Sequence, residues 1–524
     1  MSRPIGMGRA ALIIGASVLL SRVLGLLREV LLAGLFGVSI EGDLYRHAFL
    51  VPDFLSYLVA GAYLTITLVP LLSRRLEEGG PQSASHAFTA VFRFMAVAIL
   101  ALTALMWIFA EPLVELVFSE VEQQARLVAL TRIALPAQVF LVLGSLFMAV
   151  QYTHRRFVMP ALAPLIYNGG IIAGGVLGNL TSNPGPESFL IGAVVGSAVG
   201  NFGLQWIGAR RTGTWFTPGR DRAAVRQYLL FALPLMVGQS VAVLDEQFVR
   251  YFGQIEEGAT SALSFARQLN MLPVGVIAQA AGVAAFPFLA RLAARGETMS
   301  LHRTTARATR ATIFVSAAAT ALLVAVAEPL VRVLFAYGRF TAADTSVVSG
   351  LLMVYALSIP LWGIHQLMSR HFYAQGRMWI PVVIGTAVLV PTLPMWVIGR
   401  DTAGEQGMAI ASTVSMLIYA TALLVAWWRE AGTGIAGGLV PTLVRSAAAA
   451  GLAGLAGRAV TTSVFSVGDS PGVGLLAIIV GGSVTAVVFL ITALVVRAPE
   501  LREVTRRRRV SDSAEELPEP RDQG

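Results

Sequence analysis

Two arginines and a glutamate interrupt an otherwise apolar stretch near the amino terminus. The stretch is SRVLGLLREVLLAGLFG, residues 21–37, and its charged residues are Arg22, Arg28 and Glu29. At about 100° per residue, the three charged residues fall with Ser21 and Gly25 within an arc of about 120°, and leucines and valines cover most of the rest. A guanidinium offers phosphate a planar pair of donors. Because no nucleophile accompanies these cations, the pattern indicates binding of a phosphate-bearing molecule rather than its cleavage.

Charges at these positions are costly if they face lipid. A charged side chain at the centre of a bilayer costs at least about 2.5–3.5 kcal/mol on insertion scales, so we expect Arg22, Arg28 and Glu29 to face a water-filled cavity. The alternative is a purely structural pair between Arg22 and Glu29, which lie on one face of the helix. That pair would leave Arg28 uncompensated, which favours the cavity.

Polar residues also interrupt other apolar stretches. Asp245 and Glu246 lie within QSVAVLDEQFVRYF, and Arg267 lies within SFARQLNMLP. Asp43 and Arg46 follow the first stretch. For Arg46 two interpretations stay open: a charge that faces the protein interior, or an interface residue that extends to the lipid headgroups.

Asp245 is a candidate for a role in gating or ion coupling. It corresponds to Arg22 if GASVLLSR is matched to GQSVAVLD. If the anion of Asp245 faces the cation of Arg22 across a cleft, their attraction could close the empty protein. A phosphate could then compete with Asp245 for Arg22. Glu29 and Glu246 are further candidates for the same role. The alternative for Asp245 is a packing ion pair with Arg250.

The composition identifies the surroundings of these charges as lipid. The chain has 524 residues, of which 56% are hydrophobic and 13% charged, against about 25% charged in soluble domains. Apolar runs of about twenty residues recur along the chain, each long enough to cross a hydrocarbon core about 30 Å thick. The sequence therefore predicts an all-α polytopic membrane protein with about fourteen transmembrane helices.

Arginine is unevenly distributed between the predicted loops. It collects after the even-numbered spans, whereas acidic residues collect after the odd-numbered ones. The positive-inside rule then predicts that both termini lie in the cytoplasm. The net charge of +9 belongs mostly to cytoplasmic loops and the tail, so it does not indicate a nucleic-acid partner.

An internal repeat divides the chain. EPLVELVF (111–118) returns as EPLVRVLF (328–335), and PLLSRRLEEG (70–79) returns as PFLARLAARG (287–296). We expect two six-helix lobes in the same orientation, related by an axis along the membrane normal, as in alternating-access transporters. The predicted domains are a first lobe at 1–215, a second lobe at 216–430, two extra transmembrane helices at 431–497 and a disordered cytoplasmic tail at 498–524.

Enzyme signatures are missing from the sequence. It contains no Walker A loop, no HExxH and no GxSxG motif. It also contains no cysteine, so it has no disulfide and no thiolate metal site. We expect a protein that is not an enzyme and has no metal site and no cofactor, with a coupling ion, Na⁺ or H⁺, left open.

The motifs carry a family resemblance. SRVLGLLREVLLAGLFG followed by Asp43 resembles the first helix of the MurJ (MviN) lipid II flippases, in the multidrug/oligosaccharidyl-lipid/polysaccharide exporter superfamily. FAYGRFTAAD (335–344) and FYAQGRMWIP (372–381) resemble two connections of that family. The resemblance implies two six-helix lobes plus two helices, and translocation of undecaprenyl-pyrophosphate-linked peptidoglycan precursor (lipid II) from the cytoplasmic to the outer leaflet. It also implies substrate-binding roles for Ser21, Arg22, Arg28, Asp43 and Arg267.

The sequence departs from the family pattern in two places. Family members carry a basic residue and a Glu-Gly pair in span 2, where this chain has Ser56 and Gly61. The Asp-Arg of span 8 is Arg267-Gln268 here. These departures bear on substrate identity and ion coupling more than on the fold.

The sequence as a whole predicts a lipid II flippase of the bacterial plasma membrane that works by alternating access, with Arg22, Arg28 and Arg267 holding the pyrophosphate. Its expected partners are the lipid-linked oligosaccharide, the bilayer and cell-wall synthesis proteins. One alternative is a flippase for another polyprenyl-linked glycan, or a drug exporter of the same superfamily, although a cation-drug exporter needs acidic cavity walls. The other is a non-transporting scaffold for cell-wall enzymes, which has no need of a charged cleft.

Overall fold

The described part of the chain is helical and contains no β-strand. The structure is a computed structural model. It describes residues 7–59, 64–181, 185–219, 221–237, 241–466 and 470–501.

Chain contacts divide the protein into two units. The first unit comprises Met1–Gln239, Val243–Phe265 and Phe335–Thr341, and the second comprises Ser240–Ala242, Ala266–Leu334 and Ala342–Gly524. The predicted domain boundaries after residues 215, 430 and 497 stay predictions. The tail predicted from residue 498 lies outside the described residues from 502 onward.

The first unit is built from short and long helices whose apolar faces meet in one core. Phe88, Phe147 and Tyr228 are fully buried there, on three different helices. A π-helical turn, Ser197–Gly203, joins the helix Pro186–Gly196 to the helix Leu204–Arg210. The helices are α1 (Met7–Phe36), α2 (Ile40–His47), α3 (Leu50–Leu58), α4 (Leu64–Ile108), α5 (Ala110–Val117), α6 (Gln124–Ala134), α7 (Pro136–Thr153), α8 (Val158–Leu180), α9 (Pro186–Gly196), α10 (Leu204–Arg210), α11 (Arg222–Val237), most of α12 (Val241–Phe252) and the beginning of α13 (Ala259–Ala294).

The second unit contains the rest of α13 and the carboxy-terminal helices. Its core is also aromatic: Phe372, Tyr419 and Trp427 are buried together with Leu367. Its helices are α14 (Thr298–Phe335), α15 (Ala342–Ala356), α16 (Ile359–Ala374), α17 (Trp379–Ala431), α18 (Thr433–Ala436), α19 (Leu439–Val464) and α20 (Pro471–Val495).

Two of the longest helices are pairs of helices that meet at a glycine. Gly80 in α4 has φ +69° and Gly404 in α17 has φ +53°. Residues other than glycine rarely adopt this left-handed backbone conformation. Pro81 follows Gly80 and suits the first turn of the next helix, because its missing N–H would have no helical partner there.

The helices are long and apolar enough for a multi-pass membrane protein. Among the described residues, eight helices pass a test of length and composition for spanning a membrane. The count is nine if α15 and α16, bent by 41° at their junction, form one span. The all-α polytopic fold is therefore confirmed, whereas the count of fourteen spans stays a prediction.

Candidate functional site

The polar arc of α1 lies on the protein side of the helix. Val23 and Leu27 are more than half exposed, whereas Glu29 is almost completely buried. Burial therefore follows the helical period that the sequence predicts, with leucine and valine on the outside. Arg22 and Arg28 have intermediate exposure.

Glu29 joins two arginines. One carboxylate oxygen accepts a hydrogen bond from Arg28 Nη2 at 2.9 Å, and the other accepts from Arg46 Nη2 at 2.8 Å. Both carboxylate oxygens of Glu29 are thus engaged by arginines other than Arg22, so the alternative pair between Arg22 and Glu29 is not the arrangement observed.

Arg46 is an interior residue and not an interface residue. It is 5% exposed and donates from Nη1 to the carbonyl oxygen of Gly42 at 3.1 Å and to Ser261 Oγ at 3.3 Å. Its guanidinium carbon also lies 4.5 Å from the ring centroid of Phe265, a cation–π contact. Of the two interpretations that the sequence leaves open for Arg46, the interior one is confirmed.

An asparagine on α8 connects two of the predicted site residues. Asn168 Nδ2 donates to the carbonyl oxygen of Pro164 at 2.9 Å, which fixes the orientation of the amide, because a carbonyl can only accept. Asn168 Oδ1 therefore faces Arg28, whose Nη1 lies 3.4 Å away. The amide nitrogen also lies 3.4 Å from Ser21 Oγ.

Asp43 caps the start of α13. Its two carboxylate oxygens accept hydrogen bonds from the backbone N–H groups of Gly258 and Ser261, both at 2.7 Å. In return, Glu257 Oε1 lies 3.4 Å from the backbone nitrogen of Ile40, the first residue of α2. A carboxylate at a helix amino terminus satisfies N–H groups that have no partner within the helix. These contacts give Asp43 a role in holding α2 against α13, and its predicted substrate contact stays a prediction.

A second charged network lies on α3 and α12, and it includes Asp53, which the sequence analysis above does not name. Asp53 Oδ2 accepts from Arg250 Nη1 at 2.5 Å, and Asp53 Oδ1 lies 3.4 Å from Gln138 Nε2. Arg250 Nη2 also donates to Glu246 Oε1 at 2.5 Å. Ser56 donates to Gln138 Oε1.

The remaining predicted residues lie in both units. Asp245 is buried on α12, and Arg250 pairs with Asp53 and Glu246 instead of with Asp245. Arg267 is half-buried on the part of α13 that belongs to the second unit. Gly61 lies outside the described residues.

The two networks differ in their balance of charge. Glu29 serves two arginines, so the network of Arg28, Glu29 and Arg46 has one positive charge in excess. Arg250 serves two carboxylates, so its network has one negative charge in excess. The first network is therefore the better anion site.

The segment 335–341 packs on the carboxyl end of α1, which explains a motif seen in the sequence. The backbone nitrogen of Arg339 donates to the carbonyl oxygen of Gly34 at 2.9 Å. A Cβ on Gly338, whose φ is +61°, would lie 2.1 Å from that same oxygen, and a Cβ on Gly37 would lie 2.8 Å from the carbonyl oxygen of Arg339. Both positions therefore require glycine.

The described residues contain no group of three or more histidine, cysteine, aspartate or glutamate side chains that could hold a metal ion. The site offers two arginines, Arg28 and Arg46, that share the carboxylate of Glu29. Arg28 is the most accessible member of the first network, with 23% of its side chain exposed against 6% for Arg46. An arrangement of this kind can bind an anion reversibly.

Comparison with known proteins gives a consistent result. A family model described as lipid II flippase MurJ matches residues 32–475. The lipid II flippase MurJ of Burkholderia cenocepacia is 26% identical over 431 residues, which cover 80% of this chain and 83% of that protein.

Solved structures show the same fold. A lipid II flippase MurJ in an inward closed conformation has a TM-score of 0.75 at 24% identity, and the match covers 93% of this chain and 99% of that chain. An inward-facing multidrug resistance MATE family transporter of the MOP superfamily has a TM-score of 0.64 at 16% identity, covering 79% of this chain and 95% of that one. At these identities the structural likeness shows the fold alone.

Proposed function

The chain belongs to the lipid II flippase MurJ family, because the family model matches most of its length, and from this membership we propose that it translocates lipid II from the cytoplasmic to the outer leaflet of the bacterial plasma membrane. The match over residues 32–475 carries this assignment. It agrees with the resemblance found in three sequence motifs. The protein is accordingly a transporter for cell-wall synthesis and not an enzyme.

The pyrophosphate of lipid II binds at Arg28 in this proposal. Arg28 is partly exposed, and its carboxylate partner Glu29 is also bound by a second arginine, Arg46. When a phosphate oxygen takes the place of Glu29 at the Arg28 guanidinium, Glu29 keeps its bond to Arg46. The exchange therefore leaves no buried carboxylate without a partner, which keeps its energetic cost low. Asn168 holds the Arg28 guanidinium through Nη1.

Other residues have supporting roles in the proposal. Ser21 and Arg22 extend the polar face of α1, and Arg267 on α13 is a further candidate for binding the substrate. The polyprenyl tail stays in lipid during translocation, while the two lobes work by alternating access. Both termini lie in the cytoplasm, and Asp245, Glu246 and Glu29 are the candidate carboxylates for gating or for a coupling ion, Na⁺ or H⁺. Cell-wall synthesis proteins are the expected protein partners.

A drug exporter of the same superfamily is the main alternative. The positive excess of the network around Glu29 argues against it, since a cationic drug requires an acidic site. The same positive excess suits any polyprenyl pyrophosphate. Only transport measurements therefore distinguish lipid II from a related lipid-linked glycan as the substrate. A non-transporting scaffold does not require accessible arginine at all.

Substitutions of Arg28 test the proposal. In vesicles that contain the purified chain and labelled lipid II, Arg28→Ala should abolish flipping while membrane insertion stays intact. Arg28→Lys should restore it only in part, because an ammonium lacks the planar pair of donors that fits phosphate. Arg74→Ala is the matched control, since Arg74 is an exposed arginine paired with Glu78. A correctly inserted Arg28→Ala protein with full activity would remove Arg28 from pyrophosphate binding.

A further inference from the structure

A groove on the surface of the first unit combines an apolar lining with two arginines. It lies between α4 and α11, has a volume of about 520 Å³, and is lined by Phe94, Arg222, Val225, Arg226, Leu229 and Leu230. This volume is within the range of about 300–1,000 Å³ that is typical of sites for small ligands. The lining is almost entirely apolar, so the arginines contribute their aliphatic stems to the walls and their guanidinium groups lie at the margin.

The groove is on the surface of the first unit, on the face of α11 that points away from the core. Ala224 and Tyr228, one turn apart on α11, are buried in the core of the first unit. The opposite face of α11 carries Leu230 at 62% exposure, and Phe94 on α4 is 40% exposed. An acyl chain can therefore enter the groove from the surrounding hydrocarbon.

The two arginines have no partner of their own in the described part of the chain. Arg222 and Arg226 are exposed, and their spacing of one helical turn places them on one face. No hydrogen bond or ion pair engages either of them among the described residues. The nearest acid in sequence, Asp221, is already engaged by Arg75 Nη2 at 3.3 Å and by the backbone nitrogen of Ala224 at 2.9 Å.

We propose that this groove is a binding site for an anionic phospholipid, with an acyl chain between α4 and α11 and the phosphate at Arg222 and Arg226. Charge complementarity identifies the occupant: two uncompensated cations at the end of an apolar groove match a lipid with a negative headgroup better than a zwitterionic one. The loop arginines predict that this end of α11 faces the cytoplasm, where anionic lipids attract basic residues. The site is separate from the residues proposed to bind lipid II.

Binding of two lipids with the same acyl chains tests this site. The full chain in detergent is titrated with phosphatidylglycerol or phosphatidylcholine, and bound lipid is counted by native mass spectrometry. Phosphatidylglycerol should bind more tightly to the wild-type chain. In Arg222→Gln/Arg226→Gln its affinity should fall about 30-fold, which corresponds to about fivefold for each arginine near an anionic lipid.

Two further variants separate this site from general attraction to basic residues. Arg210→Gln/Arg211→Gln removes two exposed arginines that lie outside the groove and should leave the affinity unchanged. Leu229→Trp fills the groove but keeps both arginines, so it should weaken phosphatidylglycerol binding even if the glutamine variant fails to fold. Equal binding of the two lipids to the wild-type chain, or equal losses in both arginine pairs, would overturn the proposal. Tighter binding of undecaprenyl pyrophosphate at the same groove would do so as well.

Discussion

The single substitution Glu29→Gln should destabilise the protein more than the double substitution Glu29→Gln/Arg46→Gln. The carboxylate of Glu29 lies 2.9 Å from Arg28 Nη2 and 2.8 Å from Arg46 Nη2. Glutamine keeps the volume of the side chain and removes its charge, so both guanidinium groups lose their ion-pair partner. The side chain of Arg46 is 6% exposed and that of Arg28 is 23% exposed, so the penalty falls mainly on Arg46.

The size of the effect follows from burial. Removal of one partner from a buried ion pair costs about 3–5 kcal/mol, because the other charge stays buried without compensation. Arg46 keeps its contacts with Gly42, Ser261 and Phe265, so we expect the lower end, about 3 kcal/mol. In Glu29→Gln/Arg46→Gln the buried cation is gone too, and the loss should fall to about 1 kcal/mol, the typical contribution of a hydrogen bond.

Equilibrium unfolding of the full chain in mixed micelles measures these free energies. Glu78→Gln is the control, because it breaks an exposed ion pair between Arg74 and Glu78, one helical turn apart. Exposed pairs of this kind contribute little to stability. The reasoning is refuted if Glu29→Gln stays within about 1 kcal/mol of the wild type, well below the cost of a broken buried pair. It is also refuted if the double variant is at least as unstable as Glu29→Gln alone.

Two other substitutions test residues around the site. Asn168→Leu should weaken lipid II binding by up to about tenfold, or about 1.4 kcal/mol, because Arg28 loses an acceptor that orients it; an unchanged affinity in a binding titration would contradict this role. Asp245→Asn removes a buried charge at nearly constant size and should shift the resting conformation if Asp245 gates the empty transporter. The absence of native cysteine allows labelling of single cysteines added at the outer side, and unchanged labelling at fixed membrane potential would exclude Asp245 from gating.

The fold class could be predicted because lipid imposes a simple rule on the sequence. Apolar runs of spanning length can be recognised without tertiary information, and the period of α1 correctly placed Glu29 inside with Val23 and Leu27 outside. These features depend on one helix at a time. The exact number of spans depends also on how broken helices pair, and the sequence does not contain that information directly.

The partners of the charged residues could not be predicted, because they come from other helices. Spacing along α1 offered Arg22 as an alternative partner for Glu29, whereas the structure supplies Arg28 and, from α2, Arg46. Asp43 is engaged by backbone groups more than 200 residues away along the chain, and no side-chain pattern marks a helix terminus as its partner. For Asp53 the sequence does contain a usable signal, because it is a carboxylate within an apolar stretch.

The distribution of lipid-linked precursors after depletion of the protein tests most directly whether lipid II is its substrate. In the native host, the chain is depleted, and each lipid-linked precursor is quantified separately in the inner and outer leaflets of the plasma membrane. Lipid II should accumulate in the inner leaflet, and expression of the wild-type chain, but not of Arg28→Ala, should restore its transfer. Unchanged lipid II in both leaflets, together with accumulation of a different polyprenyl-linked glycan, would contradict the assignment.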